Sequence, residues 1–134
     1  MPETLFKRKC DRNRPSLKDV GELAEEFRTS LTATALRFVQ FAPEPCAVVH
    51  SIDSKVDWLD WSANFSIGIK KGTRLTTNTY AGDLFAGKAV DVRLQQVNGD
   101  AWSDSAWAGN VDLFEHSKRI AANTVLTLLW HPSP

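Results

Sequence analysis

The sequence has few cysteines, no surplus of either charge and no long apolar run. Cys10 and Cys46 are its only cysteines, too few and too far apart for a disulfide framework or a C-x-x-C metal site. With 16 basic and 16 acidic residues, the chain should have no long-range attraction to a polyanion. No segment approaches the roughly 20 apolar residues that span a bilayer, and the polar N-terminal residues lack the apolar core of a signal peptide. These absences predict a cytoplasmic protein with no membrane segment.

The sequence does contain enough apolar residues for a packed core. Of its 134 residues 43% are hydrophobic, which suits one domain or a very small one joined to a modest one. Its character changes along the chain, from a basic stretch to helical periodicity and then to alternation typical of strands. We therefore expect a basic leader or linker over 1–15, a helix-turn-helix-like region over 16–45, and a sheet domain over 46–134.

The helical region carries start and stop signals for two helices. Ser16 is followed three residues later by an acidic residue, the spacing of a capping box, and apolar residues then recur at helical spacing over 17–27. Ser30 is a second N-cap candidate, before a further apolar face over 31–41. The prolines that follow cannot continue a helix. The pattern predicts a helical hairpin resembling a helix-turn-helix.

Such a hairpin has two interpretations, a structural one and DNA contact. The second helix offers few long hydrogen-bonding side chains to a groove, the candidates being Thr32, Arg37 and Gln40. Arg28 also stands where a turn glycine would be usual. The cluster of basic residues between positions 7 and 14 is interpreted as a solvated arm, with phosphate contact as the minority interpretation. DNA binding is therefore a possibility that the sequence does not favour.

After Pro45 the pattern predicts an antiparallel sheet. Turn-like residues 52–54 indicate a first hairpin. Its second strand should place Val56 and Trp58 on one face, with Leu59 and Trp61 on the opposite face or shifted by a bulge. Asn98-Gly99 is a hairpin-turn signal, and Asn123 lies in the turn of the closing pair. The fold class is α+β: a helical hairpin, then a GAF- or PAS-like sheet of five or six strands with short helices, one over 79–87. The strand-like segments are 46–50, 55–61, 89–97, 101–108, 111–119 and 123–130.

Two groups of residues in the sheet region are candidates for ligand binding. Four tryptophans could line a pocket for an apolar or aromatic effector or stack bases, although core filling is the more common role of aromatic residues on strands. Lys70, Lys71 and Arg74, beside Gly72, could form an anion site or an ordinary loop. The four tryptophans are Trp58, Trp61, Trp102 and Trp107.

No constellation for catalysis or metal binding stands out. His50, His116 and His131 are scattered, without the spacing of metal ligands, so no zinc is expected in this chain. Glu115, His116 and Ser117 place an acid, a base and a hydroxyl side by side. Because neighbours on a strand point to opposite faces, these three cannot form a relay. Glu115 is therefore interpreted as a structural or ligand-orienting residue.

A resemblance to a known family is carried by six segments: Met1-Pro2-Glu3, Leu23 to Phe27, Ser30 to Val39, Pro45 to Val49, Phe114 to Ser117, and Leu126 to Trp130. Together they resemble the region that follows the zinc site in ImmA/IrrE-type metallo-endopeptidases. The resemblance implies a cytoplasmic zinc peptidase that cleaves a helix-turn-helix repressor. No H-E-x-x-H motif occurs in this sequence, so no catalytic residue carries over.

These observations predict a non-catalytic regulatory portion of such a protein, either truncated or a stand-alone remnant. Its helices would recognise a helix-turn-helix repressor or the missing peptidase domain, which alone would hold zinc, and its sheet would sense a small-molecule effector. The alternative is a small DNA-binding transcription regulator that uses residues 16–41.

Overall fold

A computed structural model describes residues 16–90, 93–105 and 108–132. This part of the chain forms two α-helices followed by an antiparallel sheet with a third, short helix, so the predicted α+β class is confirmed. The helices are α1 (Leu17–Phe27), α2 (Leu31–Phe41) and α3 (Tyr80–Phe85). The strands are β1 (Cys46–Ile52), β2 (Lys55–Trp61), β3 (Gln95–Asn98), β4 (Asp112–Ala121) and β5 (Thr124–Trp130), with 3-10 helices at Gly99–Ala101 and Ala108–Asn110. The predicted leader and Trp107 lie outside the described residues.

The first two helices begin at the predicted serine caps. Ser16 Oγ accepts a hydrogen bond from the Asp19 amide at 3.2 Å, and Ser30 Oγ accepts one from the Ala33 amide at 3.1 Å. Each bond satisfies an amide that a helix start otherwise leaves unpaired. Between the helices, Arg28 adopts a left-handed conformation with φ 56°, which a residue with a Cβ enters at a cost of about 1–2 kcal/mol. The helical hairpin is therefore confirmed, with arginine at a position that favours glycine.

The sheet has the strand order β2-β1-β5-β4-β3, and every neighbouring pair is antiparallel. Asp53 and Ser54 connect β1 to β2 with φ values of 51° and 67°, which match the twist of a two-residue hairpin turn. Asn123, with φ 53°, lies in the turn between β4 and β5. The first hairpin and the closing pair of strands are thus confirmed.

A bulge in the first hairpin changes the face of one predicted residue. His50 is opposite Trp58, and the next residue of β1, Ser51, is opposite Val56, so Asp57 is an extra residue in β2. Val56 consequently packs on one face of the sheet and Trp58 on the other. The prediction that Val56 and Trp58 share a face is wrong because the bulge reverses the alternation.

Each face of the sheet has its own core. On the face that we call the helix face, α1 and α2 pack against β1 and β5 through side chains such as Phe38, Val48 and Leu128. On the other, which we call the loop face, the connection after β2, α3 and the segment around Trp102 cover Val49 and Leu129. Burying one such side chain contributes about 1.5–3 kcal/mol. No helix in the described residues is long and apolar enough to cross a membrane.

The predicted turn at Asn98-Gly99 is wrong. Asn98 Oδ1 accepts a hydrogen bond from the Asp100 amide at 3.0 Å and starts a 3-10 helix, so the strand paired with β3 begins only at Asp112. A Cβ at Gly99 would lie 2.6 Å from the Ala108 carbonyl oxygen, which shows that glycine is needed for close packing. The strand expected over 89–97 is reduced to Gln95–Asn98, and the described residues of 101–108 form no strand.

Candidate functional site

Glu115 is the centre of a buried polar cluster on the loop face. It lies on β4, and 1% of its surface is exposed. Oε1 accepts hydrogen bonds from the Tyr80 amide at 3.2 Å and from the Trp102 indole N–H at 2.9 Å. Oε2 accepts bonds from the Ala81 amide at 2.7 Å and from Ser117 Oγ at 2.6 Å. One carboxylate therefore joins β4, the start of α3 and the segment that carries Trp102.

The electrostatics of Glu115 are set by burial and by these donors. Burial raises the pKa of its carboxyl above the ordinary value, whereas the four hydrogen bonds favour the ionised form. Two of the donors are amides of the first turn of α3, whose cap Thr79 accepts a bond from the Gly82 amide at 2.8 Å. A Cβ at Gly82 would lie 1.8 Å from the Thr76 carbonyl oxygen, so only glycine lets this turn pack so closely against the backbone of Thr76.

An open cleft of about 290 Å³ lies over Trp102. The Trp102 side chain is 1% exposed, and its indole N–H is held by Glu115, so the orientation of the ring is fixed from below. Ser103 Oγ donates a hydrogen bond to the Gly68 carbonyl and ties two walls of the cleft together. The lining residues are Gly68, Lys70, Thr73, Arg74, Thr76, Asn78, Asp100, Ala101, Trp102, Ser103 and Asp104.

The cleft carries charges of both signs. Of the three residues predicted as an anion site, Lys70 and Arg74 line it, whereas Lys71 does not. Two acidic residues also line it, and one of these, Asp104, lies 3.7 Å from Lys70 as an exposed ion pair. Such exposed pairs contribute little stability. The cleft is therefore a site of mixed charge rather than a simple cationic pocket.

A smaller apolar pocket of about 180 Å³ adjoins the cleft, because Gly68 lines both. Trp61 forms part of its wall and is 52% exposed, an unusual position for so large an apolar side chain. Apolar residues that follow β2 complete the pocket. The lining residues are Leu59, Trp61, Phe65, Ser66, Ile67, Gly68 and Ile69.

The structure separates the tryptophans that the sequence grouped together. Trp58 lies on the helix face, where its ring stacks on His50 with centroids 4.9 Å apart. Trp61 and Trp102 both lie on the loop face, one in the apolar pocket and the other beneath the cleft. Because Trp58 and Trp102 occupy opposite faces, the four do not line one pocket, and Trp107 is outside the described residues.

His116 faces the other side of β4 from Glu115, as the alternation of the strand predicted. Its Nδ1 accepts a hydrogen bond from the Leu17 amide at 3.1 Å, so the ring holds the first residue of α1. Burial, aided by the positive charge of Lys118 and opposed by Asp19, lowers the pKa of His116. His116 also lines a groove of about 330 Å³ along α1, together with Glu22 and other residues of that helix.

The outer surface of the helical hairpin does not favour contact with a polyanion. Thr32 and Arg37 are half-buried and Gln40 is exposed, with the Arg37 guanidinium 5.1 Å from the Phe41 ring centroid. The neighbouring helix exposes three carboxylates, which would repel phosphate groups. DNA contact by α2 stays a prediction. The three acidic residues are Glu22, Glu25 and Glu26.

Within residues 16–90, 93–105 and 108–132, no three histidine, cysteine or acidic side chains are grouped so that they could hold a metal ion. No family model matches this sequence, and no curated protein matches it either. The resemblance to ImmA/IrrE-type proteins therefore stays a prediction.

Proposed function

We propose that this chain is a non-catalytic sensing and partner-recognition unit that acts in transcriptional regulation and binds a small effector in the cleft over Trp102. The observation that carries the proposal is a solvent-open cleft whose base is fixed by a buried, four-donor carboxylate, Glu115. A few convergent polar groups around a preformed concavity are typical of small-molecule sites.

The position of β4 supports a link between the cleft and the helices. Glu115 contacts the base of the cleft, and the next residue, His116, holds the first amide of α1. A ligand that favours one arrangement of Trp102 acts on β4 through Glu115. It thereby acts on the contact between His116 and the first residue of α1. Two sites coupled through one packed element are the physical requirement of a sensor.

The proposed partner surface is the outer side of α1 and α2. In this proposal the sheet is a GAF- or PAS-like sensor, and the partner is a helix-turn-helix repressor or a peptidase domain of the ImmA/IrrE type. The exposed carboxylates of Glu22 and Glu25 on α1 offer negative charge to a protein surface. Complementary charges on the partner would guide association.

The proposal is for a non-catalytic role because the sequence has no H-E-x-x-H motif and because its acid and base neighbours do not meet. Glu115 and His116 point into opposite faces of the sheet. A relay needs the two groups within hydrogen-bond reach of each other. A zinc-dependent cleavage of a repressor by the purified chain would contradict this part of the proposal.

The effector site is tested by nuclear magnetic resonance on the full chain. We expect a mixture of small polar metabolites to shift backbone amide signals of cleft residues such as Gly68 and Asp100. Asn78→Trp places a large side chain in the cleft and should abolish the shifts. Thr77→Trp, at the exposed neighbouring position outside the lining, is the matched control and should preserve them. Shifts that persist in Asn78→Trp would refute the assignment.

A further inference from the structure

Two charged side chains of the cleft, one positive and one negative, have no partner in the described part of the chain. Arg74 and Asp100 both line it and both are exposed. Among the described residues, neither charged group forms an ion pair or hydrogen bond. The other two charged residues of the lining, Lys70 and Asp104, already lie 3.7 Å apart. The unmatched pair therefore favours a ligand that has a negative and a positive group of its own.

The volume of the cleft limits the size of that ligand. At about 290 Å³ it lies just below the range of roughly 300–1,000 Å³ that is usual for ligand pockets. Opposite charges on one small ligand must therefore lie close together. The adjoining pocket of about 180 Å³, with Leu59, Trp61 and Phe65 in its wall, has room for an apolar substituent.

We infer that the cleft binds a free α-amino acid with a large apolar side chain. The guanidinium of Arg74 receives the carboxylate, because its planar pair of donors matches the two carboxylate oxygens. Asp100 accepts hydrogen bonds from the ammonium group, and the apolar pocket holds the side chain. This inference rests on the proposed function and names the chemical class of its effector.

Isothermal titration of the full chain with matched probes tests the inference. L-Phenylalanine has all three features, whereas N-acetyl-L-phenylalanine lacks the cation, L-phenylalaninamide lacks the anion and L-alanine lacks the large side chain. We expect L-phenylalanine to bind, and each analogue to bind at least about fivefold more weakly, the loss expected when one charge-assisted contact or one apolar contact is removed. Equal binding of L-phenylalanine and its two blocked analogues would overturn the inference.

Two variants assign the charges. Arg74→Gln should weaken L-phenylalanine about fivefold or more and leave L-phenylalaninamide unchanged, since the amide has no carboxylate for Arg74 to bind. Asp100→Asn should weaken L-phenylalanine similarly and leave N-acetyl-L-phenylalanine unchanged. The matched controls are Lys71→Gln and Asp53→Asn, which remove like charges outside the lining and should have no effect. If the two control variants weakened L-phenylalanine binding as much as Arg74→Gln and Asp100→Asn do, the inference would be contradicted.

Failure of this inference is distinguishable from failure of the proposed function. Suppose that L-phenylalanine does not bind, that succinate or inorganic phosphate does, and that Asn78→Trp abolishes this binding. The assignment to amino acids is then wrong, and the sensing role stands. If no probe or metabolite produces changes that Asn78→Trp removes, both are wrong.

Discussion

Glu115 and His116 are consecutive on β4, yet Glu115 bonds to the loops on one face of the sheet and His116 bonds to α1 on the other. The Glu115 carboxylate lies 2.9 Å from the Trp102 indole nitrogen on the loop face. The His116 imidazole lies 3.1 Å from the Leu17 amide on the helix face. Because successive side chains of a strand point to opposite faces, one dipeptide connects the candidate cleft to the seat of α1.

Removing the charge of Glu115 should destabilise the fold. In Glu115→Gln the side-chain amide replaces one acceptor oxygen with a donor, which then faces a donor of the cluster. We expect the free energy of unfolding to fall by about 2–3 kcal/mol, because a buried hydrogen-bonding group is left unpaired. Urea denaturation measures the change. Glu25→Gln, at an exposed position on α1, is the control and should stay within about 0.5 kcal/mol. A loss no larger than that of the control would contradict the role of Glu115.

The indole N–H of Trp102 can be tested separately from the packing of its ring. Trp102→Phe keeps an aromatic ring but removes the donor to Glu115, so we expect a loss of about 1–3 kcal/mol. Trp61→Phe is the matched control, since Trp61 is 52% exposed, and it should cost less than about 0.5 kcal/mol. Thermal unfolding monitored by circular dichroism compares the two. Similar melting temperatures for both variants would show that Trp102 is not the fixed base that we describe.

The lowered pKa of His116 predicts acid sensitivity. The unfolded chain takes up a proton on this residue near its ordinary value of 6.5, whereas the folded protein does so only at lower pH. Between these two values the unfolded state binds more protons, so stability falls as the pH drops below about 6.5 and levels off below the folded-state pKa.

The variant His116→Asn isolates this effect. Its side-chain oxygen can accept the hydrogen bond from the Leu17 amide but does not titrate in this range. The contribution of Glu115, whose raised pKa acts in the opposite direction, is common to both proteins and cancels in the difference. Denaturation at several pH values should show a smaller acid-induced loss in the variant. Parallel curves for the two proteins would refute the assignment to His116.

Arg28 should be replaceable with a gain in stability. Its φ of 56° strains any residue that has a Cβ, and glycine removes that strain at the end of a helix. After the greater chain entropy of glycine in the unfolded state is subtracted, we expect Arg28→Gly to raise the free energy of unfolding by about 0.5–1 kcal/mol. The next position is the control, and Thr29→Gly should lower stability. A loss of stability in Arg28→Gly would show that the arginine side chain contributes more than the strain costs.

The predicted elements that the structure confirms depend on neighbouring residues. Ser16 and Ser30 cap the helices that directly follow them, and Asp53 and Asn123 lie in turns between adjacent strands. The failed prediction of a hairpin turn at Asn98-Gly99 involves residues further along the chain. Asn98-Gly99 has the composition of a two-residue turn, but contact with the Ala108 carbonyl and the bond from the Gly99 amide to Val111 at 2.8 Å decide its conformation.

The candidate site shows the same division. The strand alternation that separates Glu115 from His116 indicated a structural or ligand-orienting role for Glu115, but its four donors could not be identified from the sequence. Tyr80 and Ala81 precede it by 35 and 34 residues, and Trp102 by 13. No local pattern predicts such contacts, because the order of the strands and the path of the loops bring these residues together.

The sequence by itself determined the limits of α1 and α2, two of the tight turns and the opposite directions of Glu115 and His116, since each depends on local backbone preferences or on strand alternation. Only the tertiary structure decided that Trp58 and Trp102 lie on opposite faces and that Arg74 and Asp100 share one cleft. The first follows from a single bulged residue in β2, which reverses the faces of the side chains beyond it. Arg74 and Asp100 share a cleft because loops that are distant in the chain pack together on the sheet. That packing buries Trp102 and pairs its indole N–H with Glu115.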